Sequence, residues 1–138
     1  MLHARRLLGT AVMLFGLGTL LPVQADAIEL TGAWATEANL CNRVFTKRGN
    51  GVVFAELSDL FGSGFIIEGN RIRGKAARCL ITSRKQDGDS LELGASCSST
   101  IMNQKSIQLD LKVIDDNTLN RSFPDIPGMT LKYSRCML

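Results

Sequence analysis

Apolar residues at alternate positions, in short runs that end on glycine, asparagine or aspartate, dominate the chain from Ile28 onward. A period of two admits little besides antiparallel sheet. The first strand is predicted over Ile28–Thr36, with Ile28, Leu30, Gly32 and Trp34 on one face. A short helical turn follows over Glu37–Phe45, with Thr36 as its cap and Leu40, Val44 and Phe45 as its apolar side. Lys47–Gly51 reads as a loop, and Val52–Leu57 and Gly64–Glu68 read as strands. Gly69-Asn70 and Asp87-Gly88 are two-residue hairpin signals, because these residues reach positive φ at low cost. Between them lies one long strand, Arg71–Gln86, whose partner is Ser90–Ser99. Cys79 and Ile81 belong on an interior face with Leu91, Leu93, Ala95 and Cys97, yet alternation counted from Ile72 puts Cys79 outside. A bulge near Ala76-Ala77-Arg78 resolves that conflict. Lys105–Val113 then carries Ile107, Leu109, Leu111 and Val113 inward. Asp116-Asn117 turns the chain into Thr118–Phe123, Pro124–Gly128 interrupts, and Met129–Met137 closes the domain.

Strands in sequence-adjacent order predict an all-β fold, an eight-stranded antiparallel up-and-down barrel. Closure removes the edge strands that invite aggregation. A sandwich is the alternative. Phe54, Phe65, Leu109 and Leu131 are expected to point inward and to leave little cavity. No internal repeat, linker or low-complexity tract interrupts the domain.

Residues 1–25 read as a signal peptide. His3, Arg5 and Arg6 give a positive start, Leu7–Leu21 is an apolar run without charge, and Val23 and Ala25 stand where a signal peptidase reads. Cleavage is expected before Asp26, or alternatively after Ala27. As a membrane anchor the run is short: about fifteen residues at ~1.5 Å each span ~23 Å, against a hydrocarbon core of ~30 Å. No stable membrane insertion is therefore expected after cleavage, and residues 26–138 form a single domain that is periplasmic or secreted. Arg5 and Arg6 leave with the leader, which lowers the formal charge from +3 toward neutrality. A near-neutral domain has no global electrostatic reason to bind nucleic acid.

Cys41, Cys79, Cys97 and Cys136 all remain, an even count that reads behind a signal peptide as two disulfides. A four-thiolate metal site usually brings its ligands in close C-x-x-C pairs, and these four are widely spread. Of the three connectivities, Cys79–Cys97 with Cys41–Cys136 is best supported. The first pair faces across a hairpin, and the second ties the start of the domain to its last strand. His3, the only histidine, leaves with the leader. Serine or cysteine triads and histidine-ligated zinc sites are thereby excluded. Carboxylate chemistry survives on paper, but Asp87/Asp89 and Asp115/Asp116 sit in turn signals, where acids are solvated turn formers. The reading is a binder and not an enzyme, with no cofactor.

The segment Glu29-Leu30-Thr31-Gly32-Ala33-Trp34, followed by Cys41, resembles the opening of the calycin barrels. Lipocalins begin their first strand with Gly-x-Trp, matched here by Gly32 and Trp34. More narrowly, Glu-Leu-Thr-Gly-x-Trp with a cysteine a few residues later is similar to the bacterial metalloprotease inhibitors of the alkaline-proteinase-inhibitor type. Those are small, exported, disulfide-bonded, eight-stranded barrels. In calycins an arginine on the last strand packs across that tryptophan. The resemblance thus implies that Arg135, on one face with Leu131 and Tyr133, seals the barrel over Trp34 through a cation–π contact. The alternative is a core Trp34 and a surface Arg135. The inhibitors act through a flexible N-terminal arm, of which Asp26–Glu29 leaves almost nothing. The chain is also short for a lipocalin and lacks the helix after the barrel, so the fold carries over better than the activity.

Arg71, Arg73 and Lys75 alternate along one strand face, with Arg78, Arg84 and Lys85 nearby. That strip suits an anionic partner such as lipid A, a polysaccharide or an acidic protein, or else is the solvated outer face of a sheet. Phe61–Phe65 is glycine-rich, but no helix pattern follows it to make a phosphate cradle. Phe123 and Ile126 lie on a rigid proline loop that either docks a partner or folds over the barrel mouth. The expected function is an exported binding protein of calycin-like fold, taking a small apolar ligand or a protein partner. The alternative is a proteinaceous inhibitor of a secreted or periplasmic hydrolase such as a protease.

Overall fold

The alternating runs pair into antiparallel ladders, and the ladders close on themselves. The computed structural model describes residues 18, 20–22, 26–103 and 105–138; the leader read over residues 1–25 lies, but for those positions, outside them. The strands are β1 (Gly32–Ala35), β2 (Phe45–Arg48), β3 (Gly51–Phe54), β4 (Gly64–Glu68) and β5 (Arg71–Arg73). Then come β6 (Ala77–Asp87), β7 (Ser90–Ser99), β8 (Lys105–Asp115), β9 (Thr118–Ser122) and β10 (Thr130–Cys136). β1 and β4 through β10 form the closed eight-stranded barrel, each strand beside its sequence neighbour, with β1 paired to both β10 and β4. Among the described residues no helix is long and apolar enough to cross a membrane.

The number of strands matches the expectation, but their identities differ at two places. Val52–Leu57 is not a barrel strand. Lys47–Gly51, read as a loop, instead contributes to β2 and β3, a separate hairpin turned by Gly49 at a φ of 61°. Nor is Arg71–Gln86 one strand. The chain reverses over Gly74–Ala76, where the Gly74 N–H donates to the Ala77 carbonyl, so Ile72 faces Cys79 across a tight hairpin. That reversal, and not a bulge at Ala76–Arg78, brings both residues to the interior. The bulge of β6 falls later, between Ile81 and Ser83. The helical turn is real but short, a 3-10 turn at Ala38–Leu40 running into helix α1 (Cys41–Val44). Thr36 does not cap it; its hydroxyl bonds the Ser63 backbone instead.

Two apolar clusters follow from this topology. The barrel interior is filled by Trp34, Phe65, Ile67, Ile72, Leu91, Leu93, Leu109, Leu111, Leu119 and Tyr133, with Leu131 packed against them. The rings of Phe65 and Tyr133 meet at 4.8 Å. Phe54 is not among them. It lies in a second cluster outside the wall, where Val44, Phe45 and Phe54 cover Ala33, Ala35 and Ile66. β1 and β4 are thus buried on both faces, which is why Ala33-Trp34-Ala35 and Phe65-Ile66-Ile67 lack clean alternation. Gly64 permits the close approach: a Cβ there would strike the Trp34 carbonyl oxygen and sit 2.8 Å from Phe45 Cζ. Disulfides join Cys41 to Cys136 and Cys79 to Cys97. The first staples the outer hairpin and α1 to the wall; the second crosses from β6 to β7.

An up-and-down barrel has two ends. Hairpin turns at Gly69–Asn70, Gly88–Asp89 and Asp116–Asn117 mark one end, together with Asp26–Thr31. The Gly74–Ala76 turn, the β7–β8 loop and the β9–β10 loop mark the other. The first, crossed by Asp26–Thr31, is the sealed end, and the second is the open end.

Candidate functional site

At the sealed end the backbone of Gly32 has a φ of 134°, and a Cβ there would lie 3.2 Å from Arg135 Nη1. Two residues on, Trp34 is wholly buried and donates its indole N–H to the Leu30 carbonyl at 2.9 Å. Arg135 stands opposite Trp34 in the β1–β10 ladder, its guanidinium carbon 4.2 Å from the ring centroid. The same guanidinium donates to the carbonyls of Asp116 at 3.0 Å, Glu29 at 3.0 Å and Thr31. Arg84 donates to the Ile28 carbonyl, and the Gln86 amide accepts from Ile28 N–H and donates to the Asp26 carbonyl. Residues 26–31 are therefore laced across this end and do not project from it. Glu29 folds back on Thr31, whose hydroxyl and backbone N–H hold its carboxyl below the usual range, with Arg135 and Arg84 adding to the effect.

The cationic strip divides into two roles. Arg73 donates to the Val52 carbonyl at 2.8 Å and pairs with Glu68 at 2.9 Å. Lys75 donates to the Ala55 carbonyl and to Ser58 Oγ, and lies 3.5 Å from Asp59. Both side chains strap the β3 excursion to the barrel wall. Arg71 has no ion pair among the described residues, and neither does Arg78, which faces Arg73 across the β5–β6 ladder. These two arginines line a cleft of about 750 Å³ on the outer wall, with Leu80, the β7 residues Ser96 and Ser98, and the Arg73–Glu68 ion pair. Leu80 stands opposite Arg71 in the ladder and keeps 48% of its surface exposed. Its place is legible once Cys79 is fixed as interior, because the next residue must then face out.

Phe123 and Ile126 lie elsewhere, in the β9–β10 loop across the barrel from β5. Two successive turns, Ile126 N–H to the Phe123 carbonyl and Met129 N–H to the Ile126 carbonyl, fix that loop. Arg121 lies 4.5 Å over the Phe123 ring, and Ile126 is half exposed. The acid pairs act as turn formers. Asp115 accepts the Asn117 N–H, Asp89 accepts the Ser90 hydroxyl, and Asp89 lies 3.9 Å from Lys112.

No protein-family model, curated protein or solved structure matches the chain.

Proposed function

We propose that this chain is an exported, periplasmic or secreted binding protein of calycin-like architecture that takes its ligand on the outer wall of the barrel. The observation that carries this reading is the cleft in which Arg71 and Arg78, free of ion pairs among the described residues, flank the exposed Leu80. Two guanidiniums beside an aliphatic side chain fit an anionic group attached to a short apolar segment. A ligand inside the barrel fits less well, because bulky side chains fill the interior. The closed barrel, the Gly32-x-Trp34 start and the arginine over the tryptophan support the calycin comparison, and the two disulfides suit an oxidising compartment.

Octyl phosphate, titrated below its micelle concentration, tests the cleft. Replacing Arg71 or Arg78 with Ala should weaken its binding about 10- to 100-fold, the equivalent of ~1.5–3 kcal/mol for a lost charge-assisted hydrogen bond. Unchanged affinity in the double variant would remove the cleft from the function.

The alternative, an inhibitor of a secreted or periplasmic hydrolase, rests on the turn-fixed β9–β10 loop with its half-exposed Ile126. An inhibitory N-terminal arm is disfavoured, because Asp26 and Ile28 are tied to Arg84 and Gln86.

A further inference from the structure

Exposed aliphatic side chains are not scattered evenly over this barrel. Ile101 is 96% exposed and Met102 43% on the β7–β8 loop; Ile126 is 52% and Met129 40% on the β9–β10 loop. Leu57 and Leu60, 61% and 70% exposed, precede and end a 3-10 turn at Ser58–Leu60 that Lys75 binds beside the Gly74–Ala76 reversal. All three groups sit at the open end; Leu80 lies on the wall, and Ile114 and Met137 lie at the sealed end. Leu57 also holds a φ of 56°, a left-handed conformation unfavourable for a leucine, and in it the side chain is turned to solvent.

Charge follows the same axis. Arg73, Lys75, Arg78, Lys105, Arg121 and Lys132 lie toward the open end and outnumber the acids there, Glu37, Glu56, Asp59 and Asp125. Toward the sealed end the order reverses: Asp26, Glu29, Glu68, Asp87, Asp89, Glu92, Asp115 and Asp116 outnumber Arg71, Arg84, Lys85, Lys112 and Arg135. Arg121 stands opposite Leu111 and Leu131 in its ladders, with its guanidinium over the Phe123 ring.

We propose that the open end is a docking face for an anionic lipid surface, with Leu57, Leu60, Ile101, Met102, Ile126 and Met129 entering the acyl boundary and the surrounding bases meeting lipid phosphates. Aliphatic tips spread around a rim and interleaved with bases match an interfacial anchor. A protein interface draws its energy mainly from clustered tryptophan, tyrosine and arginine, and none of these apolar tips is aromatic. The sealed end, rich in acid, would be held away from such a surface. This inference shares Arg78 and Arg73 with the lining of the outer-wall cleft, but it rests on the apolar rim, and the variants that test it leave both arginines intact.

Tryptophan scanning on the full chain with both disulfides formed decides it. Ile101→Trp, Ile126→Trp and, at the sealed end, Ile114→Trp are each mixed with vesicles of phosphatidylglycerol and phosphatidylcholine in equal parts, and with phosphatidylcholine alone. Emission at both rim positions should shift to the blue with the anionic vesicles, more weakly with the neutral ones, and Ile114→Trp should stay unshifted. The double variant Ile101→Asp/Ile126→Asp should lose at least about tenfold in vesicle partitioning with no change in thermal melting, since both positions are exposed. Absence of a shift at the rim, or an equal shift at Ile114→Trp, would overturn the proposal. So would a rim that ignores lipid yet binds a hydrolase in a manner abolished by the double Asp variant.

Discussion

Arg135 holds more of this molecule together than a single surface cation normally does. Its guanidinium covers the Trp34 ring and bonds the carbonyls of Glu29, Thr31 and Asp116, so one side chain joins the first strand, the N-terminal segment and the β8–β9 turn. Trp34→Ala should cost about 3–5 kcal/mol as a core deletion. Arg135→Ala should cost about 2–3 kcal/mol through the lost bonds and ring contact. In a double-mutant cycle followed by denaturant unfolding, the pair should couple by at least about 0.5 kcal/mol; strict additivity would mean the contact has no energetic content. Glu29 gives a second residue-scale test. Its carboxyl is held below the ordinary range chiefly by the Thr31 hydroxyl, so an NMR titration should find its midpoint depressed, and Thr31→Val should move it upward. Because the folded value lies below the unfolded one, the contribution is fully present above the unfolded pKa and disappears as pH falls through the folded one. Contacts of this kind are only half legible in a sequence. Gly32-x-Trp34 and the face shared by Leu131, Tyr133 and Arg135 signal that the two meet, but the carbonyls that Arg135 reaches depend on how residues 26–31 cross the barrel end.

Among the elements, the departures from the sequence reading have one physical source. Alternation reports which face a residue occupies and is silent on whether the chain has reversed, since a tight hairpin keeps Ile72 and Cys79 on one face as well as a bulge would. Gly74 marked the reversal, but Lys75-Ala76-Ala77 beside it carries none of the usual turn chemistry. The β2–β3 hairpin was hidden for a related reason. It covers the barrel from outside, so Phe54 satisfies an inward-looking pattern by packing on Phe45 and not in the interior. Apolar partners, the Arg73 and Lys75 straps and the Cys41–Cys136 bridge hold this flap down. The bridge spans 95 residues, and removing it with Cys41→Ala/Cys136→Ala should cost about 2–5 kcal/mol. Hydrogen exchange should quicken first in β2 and β3, while the β6–β8 amides keep their protection. Loss of protection in β7 before β3 would show that the bridge braces the barrel and not the flap.

For the molecule as a whole, the alternating pattern leads to a closed, packed barrel, whereas the axis of charge and apolarity along it emerges only when the loops are sorted by end. Ile101, Ile126 and Leu57 are far apart in sequence, and nothing local marks them as neighbours on one rim. The two recognition tests, octyl phosphate at Arg71 and Arg78 and vesicles at Ile101 and Ile126, therefore address different surfaces and can fail separately. Closure carries a cost of its own in the order of events. Trp34 pairs with Arg135 across most of the domain, so the circle is completed only by β10, the last of the described strands. A nascent chain lacking residues 130–136 has no smaller barrel to fall back on; it is an open sheet with raw edges at β1 and β9. Such a chain keeps both edges exposed until β10 is in place. An open sheet of that kind pairs as readily with a second copy of itself as with its own β10, so closure decides between barrel and aggregate.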